Sequence, residues 1–210
     1  MKLYWFQVAP NPTKVRLYIA EKNAGGAAID FESVVVKLPK GEQNAPEHLG
    51  RNPFASLPVL ELDDGTCIIE SLAIIDYLEE VYPDPPLWGM DAVSRARGRE
   101  LERIVDIRIL ANVAQYIHAT NSPTGHPPNA SVAASAREAL PAGLEYIDRA
   151  LSIGQAFVAG DEPGVADCTL AATLQFARFA EFDVIGDYAH IRRWDVDYRD
   201  REAARSVLTL

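Results

Sequence analysis

The sequence predicts a mixed α/β unit over residues 1–81 followed by an all-helical unit over 91–210, with a linker at 82–90. Three observations predict this division. Short runs rich in aromatic and β-branched residues, the composition of strands, fall in the first part at 2–8, 29–38 and 57–69. Tyr82-Pro83-Asp84-Pro85-Pro86 cannot continue a helix, because proline lacks the N–H and its ring clashes with the preceding turn. Beyond it, Leu101, Ile104, Ile107, Ala111, Ala114 and Ile117 recur at helical spacing.

Taken in order, Lys2 to Val8 reads as a strand that Ala9-Pro10-Asn11-Pro12 breaks. Asn11 suits an N-cap and Pro12 the first helical position, where a missing N–H costs nothing. A helix from Thr13 to Asn23 follows, ending near Gly25-Gly26, then a second strand over Ile29–Leu38 and a polar stretch, Lys40–Gly50, expected as a loop with one helical turn. Leu57–Leu62 and Cys67–Ile69 flank Asp63-Asp64-Gly65, a tight-turn sequence, since Gly accepts φ > 0. Helices are expected over 71–80, Ser94–Ala119, Ser131–Leu151 with a kink at Pro141, Val165–Ala180, and after Asp187 and Asp200.

Composition excludes several classes. The formal net charge is −10, which disfavours nucleic acid, whose binding rests on clustered Lys and Arg. No run approaches the ~20 apolar residues of a membrane span. The opening Met1–Phe6 lacks a signal peptide's apolar region and cleavage site. Cys67 and Cys168 form no spacing pattern, so a cytoplasmic location is expected. The histidines His48, His118, His126 and His190 are scattered and suggest no metal.

The stretch from Asn52 to Glu80 carries the chemistry. Pro58 cannot donate to a sheet ladder, which leaves the Leu57 backbone free to pair with an extended peptide. Glu70-Ser71 opens a helix. Its hydroxyl and free N–H groups suit a carboxylate and its acid suits an ammonium, the two charges of an α-amino acid end. The alternative is ordinary capping.

With Asn52-Pro53, Leu57-Pro58-Val59-Leu60, Asp64-Gly65, Glu70-Ser71-Leu72-Ala73-Ile74 and Tyr77-Leu78 together, the stretch resembles the glutathione-site half of the glutathione S-transferase family. The resemblance selects a thioredoxin-like arrangement for the first unit. It implies a cis Pro58, Leu57 pairing with the cysteinyl backbone of glutathione, and Glu70 and Ser71 holding its γ-glutamyl end. It also implies Lys37 or Lys40 with Gln43 at the glycyl carboxylate, and a second-substrate pocket that includes Phe6, Val8 and Tyr116. Glutathione would be a co-substrate beside a small hydrophobic electrophile, without a metal, in a homodimer. Gly164-Val165-Ala166-Asp167 resembles the capping box that opens the family's buried helix, with Gly for the usual Ser or Thr.

The activating position departs from the pattern. The family lowers the glutathione thiol's pKa with a Tyr, Ser or Cys between the first strand and helix; the matching positions here are Trp5 and Ala9. Asn11 remains, its side-chain NH₂ free to donate if its oxygen caps the helix, with Thr13 as the second candidate. Ala9-Pro10-Asn11 resembles the Thr-Pro-Asn or Ser-Pro-Asn of some bacterial members with the first residue lost. The leading expectation is transfer of the glutathione thiolate to an electrophile. The alternatives are glutathione-dependent disulfide reduction and a non-catalytic interaction module that kept the fold.

Overall fold

Four strands form one mixed sheet in the order β2-β1-β3-β4 in the computed structural model, which describes residues 1–210. They are β1 (Lys2–Trp5), β2 (Glu32–Val35), β3 (Val59–Glu61) and β4 (Cys67–Ile68). β1 runs parallel to β2, with Tyr4 opposite Val34, and antiparallel to β3, with Tyr4 opposite Val59. A parallel pair needs a crossover, and α1 (Pro10–Ala24) supplies it. The β3–β4 hairpin closes through Gly65 at φ +87°, and the Thr66 N–H donates to Asp64 Oδ1 at 2.9 Å. β3 begins only at Val59, after Pro58, which has no donor to give.

The stretch before the hairpin is more helical than its polarity suggested. Two 3₁₀ turns, Leu38–Lys40 and Glu42–Asn44, lead into α2 (Pro46–Arg51), and β2 is correspondingly short. α3 (Ser71–Val81) leaves the hairpin and packs beside α1.

α1 starts three residues before the expected Thr13. Its N-cap is Ala9, so Asn11 lies within the first turn and caps nothing. The first intrahelical bond runs from the Thr13 N–H to the Ala9 carbonyl at 3.1 Å. The first turn needs no donors of its own, so prolines at 10 and 12 both fit there.

The helical part comprises α4 (Ala92–Ile104), α5 (Ala111–Thr120), α6 (Ala130–Leu151), α7 (Val165–Phe179), α8 (Ala189–Asp200) and α9 (Glu202–Arg205). A π turn at Val105–Leu110 joins α4 to α5 within the one helix the spacing predicted, and Pro141 lies inside α6 without ending it. α7 is the axis of the core, since every residue from Val165 to Ala177 is buried. Asp167 accepts from the N–H groups of Gly164 and Val158, both at 2.9 Å, and from Trp194 Nε1 at 2.8 Å. Burial pushes its carboxyl up to about 6, against the pull of those three donors. No helix is long and apolar enough to cross a membrane.

α1 is held by charge as well as by packing. Lys14, 1% exposed, reaches from α1 to Glu102 Oε1 at 3.2 Å on α4 and to Asp106 Oδ1 at 3.0 Å in the π turn. Glu102, fully buried, also accepts from the Thr169 hydroxyl of α7 at 3.1 Å. Burial raises the Glu102 pKa and Lys14 opposes that rise. Removing one partner of a buried pair strands the other charge, so Lys14→Met should cost about 3–5 kcal/mol in urea denaturation. Adding Glu102→Met to it should recover more than half of that loss.

Candidate functional site

The starts of α1 and α3 meet. Glu70 is the N-cap of α3 but makes no capping bond with its side chain, which is exposed. The first helical bond belongs to the Ile74 N–H, so the amides of Ser71, Leu72 and Ala73 lie outside the α3 ladder. Ser71 is 7% exposed, and its hydroxyl lies 3.5 Å from Asn11 Oδ1 on α1. The structure thus brings Asn11 beside the Glu70-Ser71 pair.

The Leu57–Pro58 peptide is cis. The loop before it is set by Asn52, fully buried, whose Nδ2 donates to the Ser56 carbonyl and hydroxyl at 3.0 Å while its Oδ1 accepts from the Phe54 N–H. His48 Nε2 stands 3.1 Å from the same Ser56 carbonyl. The Leu57 N–H and carbonyl have no protein partner. Its side chain packs with Ile69, the residue before Glu70, against Tyr4, Val36 and Val59.

Lys37, Lys40 and Gln43 lie along the exit from β2. Both ammonium groups are exposed and have no carboxylate within ion-pair distance. Gln43 is half-buried, and its Oε1 is an enclosed acceptor without a partner. The Lys37 N–H donates to Glu42 Oε2 at 2.7 Å, which shapes this segment.

Two of the residues proposed from sequence have other work. Thr13 is 2% exposed; its hydroxyl donates to the Ala9 carbonyl at 2.9 Å and accepts from Gln175 Nε2 at 3.3 Å, so its proton is taken. Tyr116 stacks on Phe182 with ring centroids 4.1 Å apart, among the core residues. The Trp5 indole is also occupied, donating to Ser33 Oγ at 2.6 Å with the Arg16 guanidinium 3.8 Å above its ring.

A cavity of about 660 Å³ opens between the sheet and the helices beside the α1 start. Phe6, Val8 and Ala9 line one side, with His118, Phe176 and Phe179 across from them. Val8 turns the chain from β1 into α1 at φ +58°, a conformation costly for a β-branched residue, on the order of 1–3 kcal/mol. His118 is the one titratable side chain in the lining. It stands two residues from Tyr116 on α5, a rotation of about 200° at ~3.6 residues per turn, which is why one lines the cavity and the other the core.

His118 belongs to a polar cluster at the cavity mouth. Its Nδ1 lies 2.9 Å from Ser122 Oγ and 3.5 Å from Thr124 Oγ1, and both hydroxyls also approach His126 Nδ1, at 3.3 and 3.2 Å. Burial, and secondarily His126, lower the His118 pKa, which favours the neutral ring. In the sequence these two histidines stand only as scattered residues. The available signal was the i, i+4 spacing of His118 and Ser122 across a helix end. No group of three or more His, Cys, Asp or Glu side chains is placed to hold a metal.

Comparison with known proteins places this geometry. The family model described as "Glutathione S-transferase, N-terminal domain" matches residues 3–86, and "Glutathione S-transferase, C-terminal domain" matches 92–194. "Glutathione S-transferase 2" of Saccharomyces cerevisiae is 30% identical over 214 residues, covering 100% of this chain and 90% of its own. "Maleylacetoacetate isomerase" of Pseudomonas aeruginosa is 34% identical over 181 residues, covering 84% of this chain and 81% of its own. The crystal structure of a glutathione S-transferase domain-containing protein from Marinobacter aquaeolei superposes with a TM-score of 0.86 at 32% identity, over 97% of this chain and 100% of that one.

The titration of His118 by NMR should have a midpoint below that of an exposed histidine. His126→Ala should raise that midpoint without restoring it fully, because burial is the larger of the two causes.

Proposed function

The chain belongs to the glutathione S-transferase family, and from that premise we propose that it binds reduced glutathione and transfers its thiolate to a small apolar electrophile. The observation that carries this reading is the meeting of Asn11 and Ser71 at the starts of α1 and α3, beside an apolar cavity. In this reading the γ-glutamyl carboxylate takes the Ser71 hydroxyl and the free amides of α3, where a helix start favours an anion. Glu70 takes the neighbouring ammonium. The cysteinyl peptide pairs with the free N–H and carbonyl of Leu57. The glycyl carboxylate extends toward Lys37 and Lys40, with Gln43 between them in sequence.

The thiol then reaches the start of α1. Helix starts usually stabilise a thiolate through several N–H groups, but Pro10 and Pro12 have none and the Thr13 N–H is bonded to Ala9. Asn11 is therefore the first-turn residue with donors to spare: its backbone N–H and its side-chain NH₂. The proton leaves to His118, neutral and across the cavity, or to solvent beyond it. The thiolate attacks the electrophilic carbon, forming an S–C bond as the leaving group departs with the bonding electrons.

Relatives named maleylacetoacetate isomerase make glutathione-dependent isomerisation the second reading. The cavity lining contains no Lys or Arg, which favours an uncharged, apolar electrophile over a maleyl compound with its carboxylates. Disulfide exchange would depend on glutathione thiols alone, since Cys168 is buried and Cys67 lies on β4. We also propose a homodimer: Phe54, beside the Leu57 loop, is 73% exposed, apolar area that a second copy would cover.

An ultraviolet titration of bound glutathione tests the reading. The wild-type protein should depress the thiol pKa, and Asn11→Ala should raise it by about one to two units, the worth of a hydrogen bond to a charged group. Global stability should stay unchanged, because Asn11 caps nothing. An undepressed thiol in the wild type would remove the transferase mechanism. Ser71→Ala should weaken glutathione binding about tenfold, with the electrophile KM unchanged, through loss of a charge-assisted bond.

A further inference from the structure

Gln175 is a buried amide, 1% exposed, in the middle of the otherwise largely apolar helix α7. Burying an amide is unfavourable unless its groups are bonded, and here the bonds go to two distant segments. Nε2 donates to Thr13 Oγ1 at 3.3 Å, and Thr13 donates onward to the Ala9 carbonyl at the start of α1. Oε1 accepts from the Thr209 N–H at 2.7 Å, with the Thr209 hydroxyl 3.5 Å away. Ala9, Thr209 and Leu210 all line the same cavity, as does Phe176, the neighbour of Gln175.

The 209–210 segment has little else to hold it. After α9, the N–H groups of Val207 and Leu208 bond back to the Ala204 carbonyl, and the next backbone donor, Thr209, goes to Gln175. One side chain therefore fixes this wall of the cavity and, through Thr13, the start of α1. A leucine at 175 would fill a similar space and connect nothing.

We propose that Gln175 is a positioning residue that sets the shape of the cavity and so selects which apolar molecules enter it. It does this by holding residues 209–210 in register with the start of α1. As a determinant of electrophile specificity, this rests on the reading of the cavity given above; as a determinant of cavity shape, it does not.

The test uses the full chain with Gln175→Met, Thr209→Pro and the double variant. Thr209→Pro removes the donating amide at an exposed position and carries the test if Gln175→Met fails to fold. The probes are anilinonaphthalene sulfonate, an anionic dye whose apolar rings report on the cavity without turnover, and chlorodinitrobenzene with glutathione. Each single variant should change the dye Kd and the chlorodinitrobenzene KM about three- to tenfold, the worth of one hydrogen bond, with the glutathione KM within about twofold. The double variant should be no worse than Gln175→Met alone, since Thr209→Pro cuts one of the two links that Gln175→Met removes. Unchanged dye affinity, additive effects, or a glutathione KM that moves as far as the electrophile KM would overturn the proposal. A wild-type protein without glutathione turnover would remove the transferase reading, and the dye affinities would still decide the role of Gln175.

Discussion

The rest of the structure depends on the need to neutralise the charges that α1 buries. Lys14, Glu21 and Lys22 are each at most 3% exposed, and an unpaired charge in such surroundings would be prohibitive. Each finds its partner on a different element. Lys14 pairs with Glu102 on α4, Glu21 with Arg201 at 2.7 Å between α8 and α9, and Lys22 with Glu79 on α3 at 3.0 Å. Glu79 also binds the N–H groups of Leu87 and Trp88, just past the prolines that separate the sheet from the helices. Ionic geometry is far less forgiving than apolar contact, so these pairs set where α1 lies relative to the helical part.

That placement makes the cavity. Its two sides come from segments far apart in the chain, the β1–α1 turn and the helices α5 and α7. They stand opposite one another because α1 is fixed to α4 and α7. The strained Val8 at the turn and the fully bonded Thr13 below it show the same constraint at shorter range. With α1 held so firmly, its first turn can carry two prolines and present Asn11 with its amide uncommitted to the helix.

Part of the site was legible because it is local. Asp-Gly requires a tight turn, Pro58 cannot join a ladder, and Glu70-Ser71 before an apolar periodic run starts a helix. These follow from backbone sterics and hydrogen-bond supply within a few residues. Asp167 could likewise be read as reaching back to the Gly164 N–H, three positions away. Its bonds to Val158 and Trp194 could not be read, since nothing in the spacing relates those residues. The start of α1 was misplaced because both prolines satisfy the same local rule, and the choice between them falls to packing.

The sequence by itself determined the order of elements, the break at 82–86, the hairpin, the start of α3 and the kinship of the 52–80 stretch, because each is written in neighbouring residues. Tertiary structure alone decided that His118 faces the cavity while Tyr116 faces the core. It also decided that Thr13 is spent on Ala9 and Gln175, and that Asn11 stands beside Ser71. The physical reason is that a side chain's free hydrogen-bonding capacity depends on what other segments bring to it, and those segments meet only when buried charge and apolar area drive them together.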